Sequence, residues 1–352
     1  MIEVIPILSI IIISHEQREQ LRRCIESIMT MRIAYPYEII ISDDRSSDGS
    51  FELAVSYVEA WENRQIESNN IVRIVAVQCD SDECDPAYNS DRSGYNRCNA
   101  YPHARGKYMV HVDADDYFVP QADVYNKQIR ALEEHPECAL AMSKHLYLQD
   151  GRSICEAEEI GFKKALKDGD IITAEDFIKS FYFHLNQAFM LRRNAVINPI
   201  ELYGKKYVDS VITYHHLQFG SIVYVEACDY VYVQYEKSIT GQMESLNQDS
   251  RIMWGLALYI PSLIPYWRKL FMEYQYDSIR SIIRMAKDDY MLAKHNYGAL
   301  KYLDMWIYEC FGRHITRIDK FRLRLFLIVQ RMQKQNNLYG NKICDMVWKM
   351  LK

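Results

Sequence analysis

Gly106-Lys107-Tyr108-Met109-Val110-His111-Val112-Asp113-Ala114-Asp115-Asp116 is a short apolar strand that runs straight into three carboxylates within four residues. Like charges repel, so a fold rarely crowds acids at the end of a buried strand without a compensating cation. In an extended backbone the side chains alternate faces, so Asp113 and Asp115 point the same way. Two convergent carboxylates suit a hard divalent ion such as Mg²⁺ or Mn²⁺, which commonly holds a phosphate-bearing substrate. The alternative at this stage is a solvated acidic loop.

The same pattern recurs upstream. Leu8 to Ser14 is a continuous β-branched run, as expected of a strand buried on both faces. Tyr37 to Ser42 is a second such strand and ends at Asp43-Asp44. Ile71 to Val77 reads as a third and Tyr108 to Val112 as a fourth. Helices are predicted over Glu16 to Met31, Phe51 to Glu62, Tyr95 to Ala104 and Ala122 to His135. Alternating strands and helices imply an α/β fold with a mostly parallel central sheet and helices on both faces. Ligands in such sheets sit at the carboxyl ends of the strands, and both acidic clusters fall there. Further strands are expected over Ala139 to Leu148, Ala188 to Arg192, Ser221 to Ala227 and Tyr230 to Gln234. Thr173 is expected to cap a helix from Ala174, and a further helix is expected over Asp209 to Phe219. From about Asn247 long amphipathic helical stretches take over. The boundary is set near 245, with a C-terminal helical region over 246–352.

The bulk numbers fit an ordinary soluble protein. The 352 residues are 49% hydrophobic and 25% charged, with a net charge of -5 that gives no global case for nucleic-acid binding. Nine cysteines show no paired spacing and read as reduced thiols in a cytosolic protein. The apolar run Ile7 to Ile13 is too short to span a bilayer and lacks a positive flank. The tail Arg313 to Lys352 carries ten Lys or Arg against Asp319 and Asp345, a net of +8. It fits either an interfacial helix on anionic lipid or a bundle helix covered by its neighbours.

Taken together, these segments resemble the family 2 inverting glycosyltransferases of GT-A fold, of the bacterial surface-polysaccharide type. Leu8-Ser9-Ile10-Ile11-Ile12-Ile13-Ser14-His15 resembles the family's first strand. Glu38-Ile39-Ile40-Ile41-Ser42-Asp43-Asp44-Arg45-Ser46-Ser47-Asp48-Gly49-Ser50 resembles its acidic strand and turn. Ala104-Arg105-Gly106-Lys107-Tyr108 followed by Val112-Asp113-Ala114-Asp115-Asp116 resembles its metal-binding element. The likeness covers roughly residues 7 to 120 and continues more weakly to about 241.

The resemblance implies a role for each matching position. Ser14 and His15 would lie against the nucleotide base, and Asp43 and Asp44 would accept hydrogen bonds from uracil or ribose. Arg97 would stand near the diphosphate, although the family's neighbouring Asn is Cys98 here. Asp113, with Ala114, would face the ribose, and Asp115 would hold Mn²⁺ or Mg²⁺. Asp116 would cap the next turn or orient the site. Inversion needs no protein nucleophile but does need a base for the acceptor hydroxyl. Tyr207-Val208-Asp209-Ser210 resembles the segment that supplies it, which points to Asp209. Gly220-Ser221-Ile222-Val223-Tyr224-Val225 and Tyr235-Glu236-Lys237-Ser238-Ile239-Thr240 resemble the segments that follow. His184, His215 and His216 are candidates for phosphate or metal contact, or structural. The implied donor is a UDP-sugar and the implied acceptor a glycan or lipid-linked hydroxyl. The implied setting is cytoplasmic, peripheral to the inner face of the membrane.

Three other classes would leave different marks on the sequence. A sugar-phosphate nucleotidyltransferase should show a Gly-rich basic loop after the first strand, where this chain has Ser14-His15-Glu16. A dinucleotide-binding dehydrogenase should show G-x-G-x-x-G there. A non-catalytic nucleotide-sugar-binding or scaffold protein on the same fold stays open, since fold does not fix function.

Overall fold

The computed structural model describes residues 4–66, 70–79, 92–149, 153–156, 166–174, 176, 189–193, 216–217 and 219–234. All of them lie in the first of two compact units, Met1–Glu244. The second unit, Ser245–Lys352, lies outside the described residues, as do the helical and basic-tail expectations for it.

The first half alternates strand and helix: β1 (Leu8–Ser14), α1 (Arg18–Met29), β2 (Tyr37–Asp43), α2 (Ser50–Glu62), β3 (Ile71–Gln78), α3 (Arg92–Ala100) and β4 (Tyr108–Asp113). A 3₁₀ turn at Tyr101–His103 replaces the last part of the helix expected to reach Ala104; Pro102 falls within it. There follow β5 (Tyr117–Phe118), α4 (Val124–Glu134), β6 (Cys138–Gln149), β7 (Ser153–Glu156), β8 (Ile171–Ile172), β9 (Phe189–Arg192) and β10 (Ser221–Gln234).

The strands form one sheet in the order β3-β2-β1-β4-β9-β6-β10-β5. The pairs β1–β2, β2–β3, β1–β4 and β6–β10 are parallel, while β9 runs antiparallel between β4 and β6. All seven residues of β1 and all seven of β2 are buried, as continuous apolar runs between two helical layers require. Helix α1 places Leu21, Cys24, Ile25 and Ile28 in the core at three- and four-residue spacing. Each such burial contributes roughly 1.5–3 kcal/mol before entropy is counted.

Where two strands were expected between Ser221 and Gln234, one continuous strand is found. Its pairing with β6 shifts register between Val225 and Tyr230. The polar Cys228-Asp229 pair marks that irregularity and is not a break. Asp229 Oδ2 there accepts the N–H groups of Asp123 and Val124 and caps α4. Thr173 acts as expected: its Oγ1 accepts from the Asp176 N–H. The two segment glycines both mark close backbone approach. A Cβ on Gly106 would stand 2.6 Å from the Ser9 nitrogen, and one on Gly220 would stand 2.4 Å from the Glu137 carbonyl.

Candidate functional site

Strand order reverses around β1: the chain goes from β1 outward through β2 and β3, then returns to β4 on the other flank. Such a reversal opens a crevice at the carboxyl ends of the strands. The register fixes what lines it. Ser14 pairs with Asp43 on one side, and Ile13 pairs with Asp113 on the other. Ser14, Asp43-Asp44 and Asp113-Ala114-Asp115 are therefore brought to one sheet edge.

On the β2 side, two loops are tied together. His15 donates from Nδ1 to the Asp44 carbonyl at 2.8 Å, and Asp44 N donates to the Ser14 carbonyl at 2.9 Å. Glu16 N reaches Ser46 Oγ, while Ser47 N reaches Glu16 Oε1. Glu16 and Arg45 both adopt positive φ, 53° and 46°, so the facing loops hold two strained non-glycine residues. Asp43 spends both carboxylate oxygens on Ser46, at 2.9 and 2.6 Å, and closes the turn. Burial pushes its acidity range upward against those hydrogen bonds. Asp48 caps both neighbouring helices, accepting from Arg18 N and from Ser50 N and Oγ. Asp44 is buried at 1% exposure.

On the β4 side, the crowding of acids has a structural answer for each one. Asp113 Oδ1 is paired with Arg97 Nη2 at 2.6 Å, and that guanidinium is 1% exposed. Asp116 is fully buried, and its carboxylate accepts from Tyr230 O–H and from Val233 N, which anchors the strand end to β10. Asp115 is half-buried; burial and then the Asp113 charge push its pKa up to about 6. Arg23 of α1 donates to the Asp115 carbonyl at 2.6 Å, and the Gln17 side chain bonds its carboxylate. Ala114 is buried, with its N–H on the Ile13 carbonyl.

Helix α3 closes the crevice from behind. Asn96 Nδ2 donates to the Ser14 carbonyl, and Asn99 Nδ2 reaches Ser42 Oγ and the Gln78 carbonyl. Asn96 Oδ1 and Ser14 Oγ are buried without a hydrogen-bond partner. His111, two residues before Asp113 in β4, bonds Tyr101 and is held neutral by burial and then by the charges of Arg97 and His216. His216 is itself buried. Asp209, His184 and His215 lie outside the described residues.

Arg97 thus supports Asp113 from below, where the resemblance implied a diphosphate contact. Arg23, Gln17, Asn96 and Tyr230 were not singled out in the sequence. Their spacing follows ordinary helix and strand polarity, and only the tertiary fold aims them at the acids. Among the described residues no group of three or more His, Cys, Asp and Glu side chains forms a ready-made metal cage. Asp113 and Asp115 still fit a divalent cation by donor chemistry, as hard oxygen ligands.

Residues 9–75 match the family model described as glycosyl transferase family 2. A poly(ribitol-phosphate) beta-glucosyltransferase of Bacillus spizizenii is 25% identical over 230 residues, 64% of this chain and 32% of that protein. An uncharacterized protein of Mycobacterium tuberculosis is 24% identical over 176 residues, 49% of this chain and 45% of its own. The chain thus spans less than half the length of these curated relatives. Among solved structures, S. aureus TarS 1-349 in complex with UDP-GlcNAc aligns with TM-score 0.53 at 14% identity, covering 86% of this chain and 81% of that one. The same protein with UDP aligns with TM-score 0.51 at 15% identity, covering 94% and 92%. The fold is GT-A-like.

Proposed function

We propose that this chain is a family 2 glycosyltransferase that moves a sugar from a UDP-linked donor to a hydroxyl of a glycan or lipid-linked acceptor, with inversion at the anomeric carbon. The observation that carries the proposal is the pair of acidic strand ends flanking β1 at the reversal of strand order, Asp43-Asp44 on one side and Asp113 to Asp116 on the other. The family match over residues 9–75 supports it. So do the UDP-GlcNAc named with TarS and the polymer glucosylation named for the Bacillus protein.

In this proposal the His15–Asp44 loop pair holds the base and ribose of the donor. Carboxylates accept from uracil N–H and ribose O–H groups, and the tied loops fix them in place before binding. Asp113, held by Arg97, faces the ribose side. Asp113 and Asp115 are the residues that would hold Mg²⁺ or Mn²⁺, which when bound supplies charge neutralisation for the departing diphosphate. Asp209 takes the proton from the acceptor hydroxyl as that oxygen attacks opposite the leaving group. The basic tail suits a peripheral position on an anionic membrane face, which would bring a lipid-linked acceptor within reach.

Calorimetric titration with UDP and UDP-sugars, with and without Mn²⁺, followed by a transfer assay over an acceptor panel, tests this. Donor binding and release of UDP on acceptor addition are expected. Release of pyrophosphate would point to a nucleotidyltransferase. Donor binding without turnover would favour the scaffold alternative, and no nucleotide binding would sink both. Deleting residues 313–352 should abolish co-sedimentation with anionic liposomes; absence of binding by the full chain would refute the membrane role.

A further inference from the structure

We infer that Arg23 and Arg97 are built-in counterions of the acidic strand end, so that the divalent cation enters together with the donor's diphosphate and does not reside on the protein. The inference rests on the donor-binding proposal above and concerns how that site is charged before the donor arrives.

Three carboxylates stand within four residues at the end of β4, yet each is already engaged by the protein. Asp116 has both oxygens on β10, through Tyr230 and Val233 N. Asp113 is paired with a guanidinium that is almost wholly out of solvent. Asp115 carries Arg23 against its own carbonyl. Arg23 is held there from two directions. It donates to that carbonyl at 2.6 Å, and its guanidinium lies 4.5 Å from the centre of the Tyr117 ring just beyond the cluster. Its Nε is buried without a partner, so the group has given up water to stay in this position. Counting formal charges, three carboxylates and two guanidinium groups leave -3 + 2 = -1.

A residual charge of one, with no ready-made cage among the described residues, is a poor resting place for a dication. A bound diphosphate adds negative charge and several oxygen ligands, and makes the same place a good one. Two unit charges 4 Å apart interact by about 4 kcal/mol at an effective dielectric of 20. Removing one positive charge from beside the cluster should therefore strengthen binding of a bare cation markedly. A residue that only braced the turn would do the reverse when removed.

Mn²⁺ titration of the full chain, by electron paramagnetic resonance or calorimetry, with and without saturating UDP, separates these. The native protein should bind Mn²⁺ alone at least roughly tenfold more weakly than with UDP. Arg23→Gln keeps an N–H donor for the Asp115 carbonyl but removes the charge. It should tighten binding of Mn²⁺ alone on the order of tenfold and shrink the UDP dependence. Mn²⁺ alone should raise its melting temperature more than that of the native chain. Arg23→Lys keeps the charge and should bind Mn²⁺ as the native protein does. If Arg23→Gln binds bare Mn²⁺ no more tightly, or if Arg23→Lys behaves like Arg23→Gln, the counterion role is overturned while the donor-binding proposal stands. If native UDP binding shows no dependence on Mn²⁺, the metal assignment fails and the counterion role fails with it.

Discussion

Replacing Glu38 should destabilise the fold without weakening its hold on a nucleotide. Glu38 is the second residue of β2 and is fully buried. Its Oε1 accepts from Ser9 Oγ at 2.6 Å and from Arg105 N at 2.5 Å, and its Oε2 is paired with Arg73 Nη1 at 2.9 Å. Ser9 Oγ in turn accepts the Gly106 N–H at 2.8 Å, and Arg73 also reaches the His103 carbonyl. One carboxylate therefore locks β1, β2, β3 and the entry to β4. Glu38→Ala strands a hydroxyl, a backbone N–H and a guanidinium that is 25% exposed. Removing one partner of a buried ion pair costs about 3–5 kcal/mol. That is a large part of a typical stability of roughly 5–15 kcal/mol, and it corresponds to a melting shift on the order of 10 °C. Glu38→Gln keeps an acceptor for Ser9 and Arg105 and should lose only the charge-assisted share, about 1.5–3 kcal/mol. The acidic pair lies five residues along the strand, about 17 Å away. Affinity for UDP well below the melting temperature should therefore change by less than about threefold, under 1 kcal/mol. Urea unfolding and calorimetric UDP binding measure the two effects separately. A cost under 1 kcal/mol for Glu38→Ala, or a large loss of UDP affinity in Glu38→Gln, would refute the reasoning.

Three further outcomes are expected. Asp115→Ala should lose the Mn²⁺ dependence of UDP binding while leaving urea stability nearly unchanged; retained dependence in calorimetry would remove Asp115 as the cation ligand. Asp209→Asn should bind donor normally and lose transfer by roughly 10²–10⁴-fold in a product assay, the usual contribution of a general base. His145 is buried with neither ring nitrogen hydrogen-bonded, and burial depresses its pKa to about 4. Its neutral form is the folded form, so its contribution to stability is complete above pH 6.5 and is lost as pH falls toward 4. The loss is about 3 kcal/mol. His145→Phe should flatten that part of a urea-midpoint profile between pH 7 and 4, and an unchanged slope would contradict the assignment.

The parallel half of the sheet was legible because a strand buried on both faces leaves an unbroken apolar run, and a polar edge stops it abruptly. β1, β2 and β4 each read that way, and their ends carry Ser14, Asp43 and Asp113. The second half obeys no such rule. β5 and β8 are two residues long, too short for any period. β10 was read as two strands because Asp229 interrupts its apolar pattern, although that carboxylate is used to cap α4. Arg23, and the carboxylate partner of Arg97, were opaque for a physical reason. A long cationic side chain on a helix looks the same in sequence whether it points at water or folds back against a carboxylate 16 residues away, as Arg97 does.

Position along the strand, more than the motif a residue belongs to, decides what a carboxylate does here. Glu38 and Asp43 sit in one family-like segment, as Gly106 and Asp113 do in another, yet each pair spans the length of a strand. At the amino end the polar groups face each other and consume one another, so that Ser9, Glu38, Arg73 and Gly106 form a closed lock. At the carboxyl end the chain must leave the sheet through turns, and the last residues of β2 and β4 bring carboxylates toward a crevice. There each acid has a protein partner, but on the β4 side two arginines stand against three acids and the formal charge is not cancelled. A closed network stabilises; a partly balanced one is poised to accept a charged ligand. Strength of resemblance alone would have ranked Glu38 beside Asp43. The register of the sheet separates them, and it brings Asp43 and Asp113 to the edge where charge is left unbalanced.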